Sequence, residues 1–225
     1  MKKIFYTFLL ISPLLFLPSC EDENIVNEES QVSSPLFIGM EAYGGIIFYL
    51  DNSEQHGLVI ATDDLLTSND SIGFPWDCDS LSWYEANSNE VWLGDNNIGG
   101  NGQLNTTNIV SSQNCQVITA AQAADQYEID DYDDWFLPSS GEMNLAYLNL
   151  WFNPVNEMQE NGLSQTEIYL SVYEGLNGFD WSDNGKNYWT STEVSNNISC
   201  HMMWGNGIGY SNKLIHLRVR PIRSF

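Results

Sequence analysis

Asp180-Trp181-Ser182-Asp183-Asn184 places two carboxylates and an amide around a tryptophan, and Glu193 follows on a strand-like run. Hard cations such as calcium take about six to eight oxygen ligands from carboxylates, amides and carbonyls. Asp180, Asp183 and Glu193 are therefore the candidate calcium ligands, and no other cofactor is indicated. An aromatic beside such oxygens offers a sugar ring an apolar face to stack on. Trp181 and Asn184, with Trp204 and Asn206 later in the chain, are the candidate ligand-binding residues. A plainer alternative stands beside each: a solvated acidic loop for Asp180 and Asp183, and an ion pair with one of the arginines for Glu193.

Other clusters carry less chemistry. Asp130-Asp131-Tyr132-Asp133-Asp134 lacks the glycine and distal glutamate of an EF-hand loop, so it reads as a helix-to-strand connection. The glycine-rich stretch 94–102 has no lysine and no strand-to-helix context, so it is not a phosphate loop. Cys200 and His201 are adjacent on a strand, point to opposite faces, and make no nucleophile pair. A pair of carboxylates flanking a glycosidic bond stays open, because their separation in space is invisible in a sequence. No residue is assigned a catalytic role.

The chain has 225 residues with 30 acids against 7 bases, a formal charge of −23. No Lys or Arg occurs between residues 20 and 185. Such a surface excludes nucleic acid as a partner and disfavours sulfated or uronic-acid-rich ligands. With 43% hydrophobic and 13% aromatic residues, there is material for a sizeable core rather than a disordered acidic tail.

Lys2 and Lys3 precede an apolar run over residues 4–17, too short for the roughly 20 residues of a membrane-spanning helix. Residues 1–19 read as a signal peptide. Leu17-Pro18-Ser19-Cys20 resembles a bacterial lipobox, in which Cys20 is lipidated and becomes the first mature residue. Glu21-Asp22-Glu23 resembles the surface-export signal of Bacteroidetes-type lipoproteins. Residues 20–35 form a flexible acidic tether, and 36–225 a single domain. The expected location is the outer membrane, lipid-anchored and facing the exterior. Cys78, Cys115 and Cys200 then remain, enough for one disulfide in an oxidising compartment and one leftover thiol.

Positioning these residues falls to an α+β order of elements: strands, two helices, then strands. Residues 45–61 read as a hairpin. Residues 63–114 are polar and expected to form short irregular elements anchored by tryptophans. Thr119-Ala120-Ala121-Gln122 and Ser139-Ser140-Gly141-Glu142 are capping boxes opening two helices. The second is expected to end at Asn153-Pro154. Runs at 188–194, 200–204 and 214–222 read as strands. The last alternates, with Ile215, Leu217 and Val219 on one face and His216, Arg218 and Arg220 on the other, the arginines placed to neutralise crowded carboxylates.

Six blocks in order carry a resemblance: Gly44-Gly45-Ile46-Ile47-Phe48-Tyr49; Gly57-Leu58-Val59-Ile60-Ala61; Gly102-Gln103 through Asn105-Thr106, with Asn114-Cys115; Asp134-Trp135-Phe136-Leu137-Pro138-Ser139 through Glu142-Met143; Tyr188-Trp189-Thr190-Ser191-Thr192-Glu193; and Val219-Arg220-Pro221-Ile222-Arg223. Together they resemble the DUF1566 family, also called the Lcl C-terminal domain, over about residues 44–225. The resemblance implies a C-type-lectin-like fold with long irregular loops at the cell surface, and a Cys78–Cys115 disulfide. It also implies non-catalytic recognition of an extracellular glycan or protein, in adhesion or nutrient capture. Two departures from the sugar-binding type of C-type lectin are visible: no Glu-Pro-Asn triplet, and Trp-Ser-Asp in place of Trp-Asn-Asp. The Leu-Pro-Ser block distantly resembles formylglycine-generating enzymes as well. Those use two late cysteines, and this chain has only Cys200 there. The alternatives are a hydrolase or oxidase on the same scaffold, or a structural component of the envelope.

Overall fold

The computed structural model describes residues 35–67, 69, 73–79, 84, 100–164, 186–204 and 206–225. The signal peptide, Cys20 and the tether up to Ser34 lie outside these residues, as do Asp180, Trp181, Asp183 and Asn184. Along the chain come β1 (Glu41–Ala42), β2 (Gly45–Leu50), β3 (Gly57–Ile60) and β4 (Phe74–Pro75). Helices α1 (Gly102–Ser112), α2 (Ala120–Asp125) and α3 (Ser140–Tyr147) follow, then a π-helical turn (Leu148–Phe152) and α4 (Asn153–Glu160). The chain closes with β5 (Asn187–Ser195), β6 (Ile198–Met203), β7 (Gly207–Asn212), β8 (His216–Leu217) and β9 (Ile222–Ser224).

The architecture is α+β with three antiparallel sheets, ordered β1-β2-β3-β9, β4-β8 and β5-β6-β7. The expected hairpin over 45–61 forms as β2 and β3. Ile46, Phe48, Leu58 and Ile60 pack on one side against Phe136, Met143 and Leu150. Ile47, Val59 and Ala61 pack on the other against Trp135. Covering both faces is what makes these strands unbroken apolar runs rather than alternating ones. A bulge between Ile47 and Tyr49 turns Phe48 out of register, and its carbonyl accepts Asn149 Nδ2 at 3.0 Å. On the far side of β3, Val59 pairs with Arg223, so the end of the chain lies beside its first hairpin.

Both capping boxes form, at Thr119 and at Ser139. Three expectations are corrected. Among the described residues there are four α-helical segments rather than two. The first, α1, lies in the stretch expected to be irregular. Its sequence, rich in Thr, Asn and Ser, has poor propensity and no side-chain cap at Asn101. Tertiary bonds hold it instead: Thr106 Oγ1 accepts the Leu137 N–H at 3.0 Å, and Asn105 Nδ2 donates to Ser191 Oγ at 3.3 Å. Second, the helix from Ser140 does not stop at Asn153-Pro154. Asn153 N–H reaches back to the Leu148 carbonyl, closing a π turn. Pro154 therefore sits inside a continuous run of helical backbone, Phe152 and Asn153 both keeping helical angles, and the π turn is the irregularity that accompanies its missing N–H.

Third, residues 214–222 are not one alternating strand. Leu214 and Ile215 are exposed, and the segment passes from neighbour to neighbour. His216 and Leu217 pair with β4, Arg218 exchanges bonds with β5, and Val219 and Pro221 accept from Leu65 and Ala61. Each change of partner breaks the period. The strand hidden from the sequence is β7, where Gly207 and Gly209 obscure the pattern. Gly209 has a packing reason: its cross-strand partner is His201, and a Cβ there would lie 2.6 Å from Nε2 of that ring.

Gly209→Ala is therefore expected to lower stability by about 1–3 kcal/mol, the cost of overpacking a filled site. Adding His201→Ala is expected to restore most of that difference, measured as a double-mutant cycle by denaturant unfolding.

Candidate functional site

A cleft of about 430 Å³ opens where the first hairpin, the end of the chain and the start of α1 meet. The hairpin contributes Tyr49, Asp51, His56, Gly57 and Leu58. Phe225 and Ser224 form a second wall, Gly100 and Gln103 a third, and Phe136 and Glu142 the floor.

Each group is positioned by local structure. Asp51 begins the turn between β2 and β3; its Oδ1 accepts the Ser53 hydroxyl at 2.6 Å and the Ser53 N–H at 2.9 Å. The Ser53 hydroxyl, ahead of the smaller contributions of backbone N–H groups and His56, holds the Asp51 carboxyl below the usual carboxylate range. Phe225 is anchored by reciprocal backbone bonds with Gly57 and by stacking on Tyr43 at 4.1 Å. Gly57 is required there, since a Cβ would lie 2.9 Å from the Phe225 ring. Phe136 exchanges backbone bonds with Ile222 of β9. Glu142 is buried, its Oε2 accepting the Ser139 N–H and hydroxyl, each at 2.7 Å. Gly100 and Gly102 press on that carboxylate so closely that a side chain at either would collide with it.

The result is a concave surface with three aromatic side chains, two carboxylates, an amide and an imidazole. Carboxylates accept from hydroxyl groups, and aromatic rings cover apolar faces. Among the described residues, no Lys or Arg lines the cleft.

The residues expected to bind lie elsewhere. Trp204 is corrected to a core residue: it is 3% exposed, with Tyr147 and Tyr188 edge-on at 5.1 and 5.9 Å, and cannot stack on a sugar. Asn206 is exposed in the turn after β6. Glu193 is buried, and both its oxygens are engaged, one by Lys213 Nζ and the other by the Tyr84 N–H at 2.9 Å. It stands in the structure as an ion-pair partner of a lysine, not as an open cation ligand.

That pair belongs to a buried polar network. Lys213 Nζ lies 4.6 Å from the centre of the Trp76 ring. Tyr84 hydroxyl donates to Asp77 Oδ2 at 2.8 Å, and Asp77 Oδ1 accepts the Cys78 N–H at 2.7 Å. Cys78 and Cys115 are joined in the disulfide that the family resemblance implies. Asp77 and the two sulfurs are close enough to hold a cation, but the sulfurs are bonded to each other. Cys200 is a buried thiol. Beside this network, Ser199 Oγ and His201 Nδ1 are buried on β6 without a hydrogen-bond partner among the described residues. Burial lowers the His201 pKa below its ordinary 6.5.

The cleft residues were missed in the sequence because they come from four separate stretches. Gly57 and Gly100, placed where the Phe225 ring and the Glu142 carboxylate crowd the backbone, are the signal that could have pointed to a built surface.

No family model matches the chain, and no curated protein matches it. Among solved structures, a fimbrial protein from Bacteroides ovatus ATCC 8483 is similar to 79% of this chain, at 13% identity and a TM-score of 0.45. The match spans 43% of that protein's length. No described helix is long and apolar enough to cross a membrane.

Two outcomes are expected of the buried groups. Lys213→Met leaves Glu193 buried without its cation and is expected to cost about 3–5 kcal/mol, whereas Lys213→Met with Glu193→Leu recovers most of it; urea unfolding separates the two. His201 binds a proton more readily unfolded than folded, so stability is full above about pH 6.5 and falls as the pH drops through that value. Melting curves of His201→Phe from pH 5 to 8 are expected to lack that component.

Proposed function

We propose that this chain is a lipid-anchored cell-surface protein whose lectin-like domain, of the DUF1566 type, recognises an extracellular glycan without transforming it. The cleft carries this reading: the rings of Tyr49 and Phe225 and the Asp51 carboxylate line a concavity large enough for one or two sugar rings, over a buried floor of Phe136 and Glu142. The pairing of the final strand with the first hairpin, and the Cys78–Cys115 bond, support the lectin-like assignment. The excess of acids favours neutral or cationic ligands over acidic polymers.

A glycan array with the purified chain, run in calcium and in chelator, tests the proposal. Saturable binding that Tyr49→Ala weakens about tenfold at a temperature where the variant is still fully folded is the expected result; loss of one aromatic platform accounts for that size. Binding at the cleft is expected to survive chelator, since Glu193 is held by Lys213. Binding that chelator abolishes and Tyr49→Ala leaves intact would move the site to the 180–184 segment. Release of reducing sugar from a bound oligosaccharide would replace recognition with catalysis.

A further inference from the structure

We propose that β7 is an interface strand, through which two copies of this chain pair edge to edge and antiparallel. Their β5-β6-β7 sheets then run on as one. The proposal is independent of the cleft.

The edge is open. β7 ends its sheet, and every residue from Gly207 to Asn212 pairs with β6 in unbroken register. The Lys213 N–H donates to the Asn197 carbonyl, which continues that ladder. Antiparallel bonding alternates along a strand. Gly207, Gly209 and Ser211 therefore turn their backbone groups to β6, while Ile208 and Tyr210 turn theirs outward. Among the described residues, no hydrogen bond meets Ile208 or Tyr210 from that side. The opposite edge of the sheet is covered. There the Trp189 N–H donates to the Arg218 carbonyl, the Arg218 N–H to the Asn187 carbonyl, and the Ser191 N–H to the Pro138 carbonyl.

Open edges are commonly guarded by a charge, a proline, a bulge or sheer brevity. β7 has none of these guards. It is six residues long, Gly-Ile-Gly-Tyr-Ser-Asn, and keeps its register with β6 throughout. Tyr210 is 65% exposed at its middle, an aromatic ready to meet a cross-strand neighbour.

Charge selects the occupant. At −23, two copies of this chain repel each other over most of their acidic surface. No Asp or Glu follows Glu193, however, and β6, β7 and the turn between them carry no charged Lys, Arg, Asp or Glu side chain. A second copy can approach along this strand without setting carboxylate against carboxylate. A twofold axis across β7 brings the outward groups of Ile208 and Tyr210 to the same groups of the other copy, N–H to C=O in both directions. That is the self-complementarity a symmetric pair requires.

Sedimentation velocity of the purified chain over a concentration series tests the proposal. A reversible dimer is expected, and it is expected to tighten as salt rises from about 0.05 to 0.5 M, because screening relieves the repulsion of two acidic bodies. Tyr210→Pro removes the outward N–H and leaves the bonds to β6, a position where an edge strand tolerates proline. It is expected to weaken the dimer about tenfold, since symmetry deletes the bond twice. Tyr210→Lys keeps the N–H but sets two ammonium groups near the axis, and is expected to weaken the dimer severalfold. Circular dichroism at the working temperature confirms that each variant is folded. A chain that stays monomeric up to about 1 mM would overturn the proposal. So would a dimer that both variants leave intact, which would place the contact on another face. Loosening by salt would make ion pairs the contact instead, and growth beyond two copies would exclude a pairing that closes on itself.

Discussion

A short run of cations ties the end of this chain to its earlier acidic segments. Between Lys213 and Arg223 lie four of the seven basic residues, and together they meet three carboxylates, each from a different region. Lys213 pairs with Glu193, Arg223 grips Asp134 through Nε at 2.5 Å and Nη2 at 3.0 Å, and Asp64 accepts from both Arg218 and Arg220. These pairs differ in worth. Arg218 and Asp134 are partly in water, where attraction is screened and each pair contributes about 1 kcal/mol or less. Glu193 and Lys213 are fully enclosed, so neither can lose the other without leaving an uncompensated buried charge. Burial also gives these contacts directional consequence: a guanidinium that bridges two oxygens sets the angle of its strand as well as its position.

The consequence is closure. Once Arg223 is drawn to Asp134, β9 can pair with β3 on one side and with Phe136 on the other. The first hairpin is thereby sealed on an edge that would otherwise expose backbone donors and acceptors. The same step seats Phe225 against Gly57 and Tyr43, which makes one wall of the cleft. Sheet, core and candidate site therefore share one cause.

What was legible in the sequence follows from how local each signal is. The β2–β3 hairpin was legible because strands buried on both faces must be apolar throughout. The helices at Thr119 and Ser139 were legible because a capping box is written within four residues. Helix α1 was not, because Thr106 and Asn105 are satisfied by Leu137 and Ser191, far away in the chain. Strand β7 was not, because the demand for Gly209 is set by the ring of His201 on the neighbouring strand. The alternation over 214–222 misled, since it is a strand's pattern laid on a segment that changes partner three times. Trp204 was misplaced for a related reason: an aromatic beside a glycine-rich turn has the same sequence signature whether its ring faces water or Tyr147. The cleft was illegible in full, because Asp51, Gln103, Glu142 and Phe225 share neither a period nor a motif.

A site gathered from such distant residues is coupled to the closure that gathers it. Opening the contact between β9 and β3 would remove Ser224 and Phe225 from the cleft, leaving Tyr49 and Asp51 on a hairpin with one edge bare. Any ligand that touches both walls binds only the closed form and so stabilises it by mass action. The acid excess opposes closure through self-repulsion, and the cations of the final segment offset that repulsion where the chain must meet itself. Arg223 precedes Ser224 on β9 and reaches Asp134 and the Tyr43 carbonyl, so the strand that closes the fold carries its own cation to the early acidic segment it must meet.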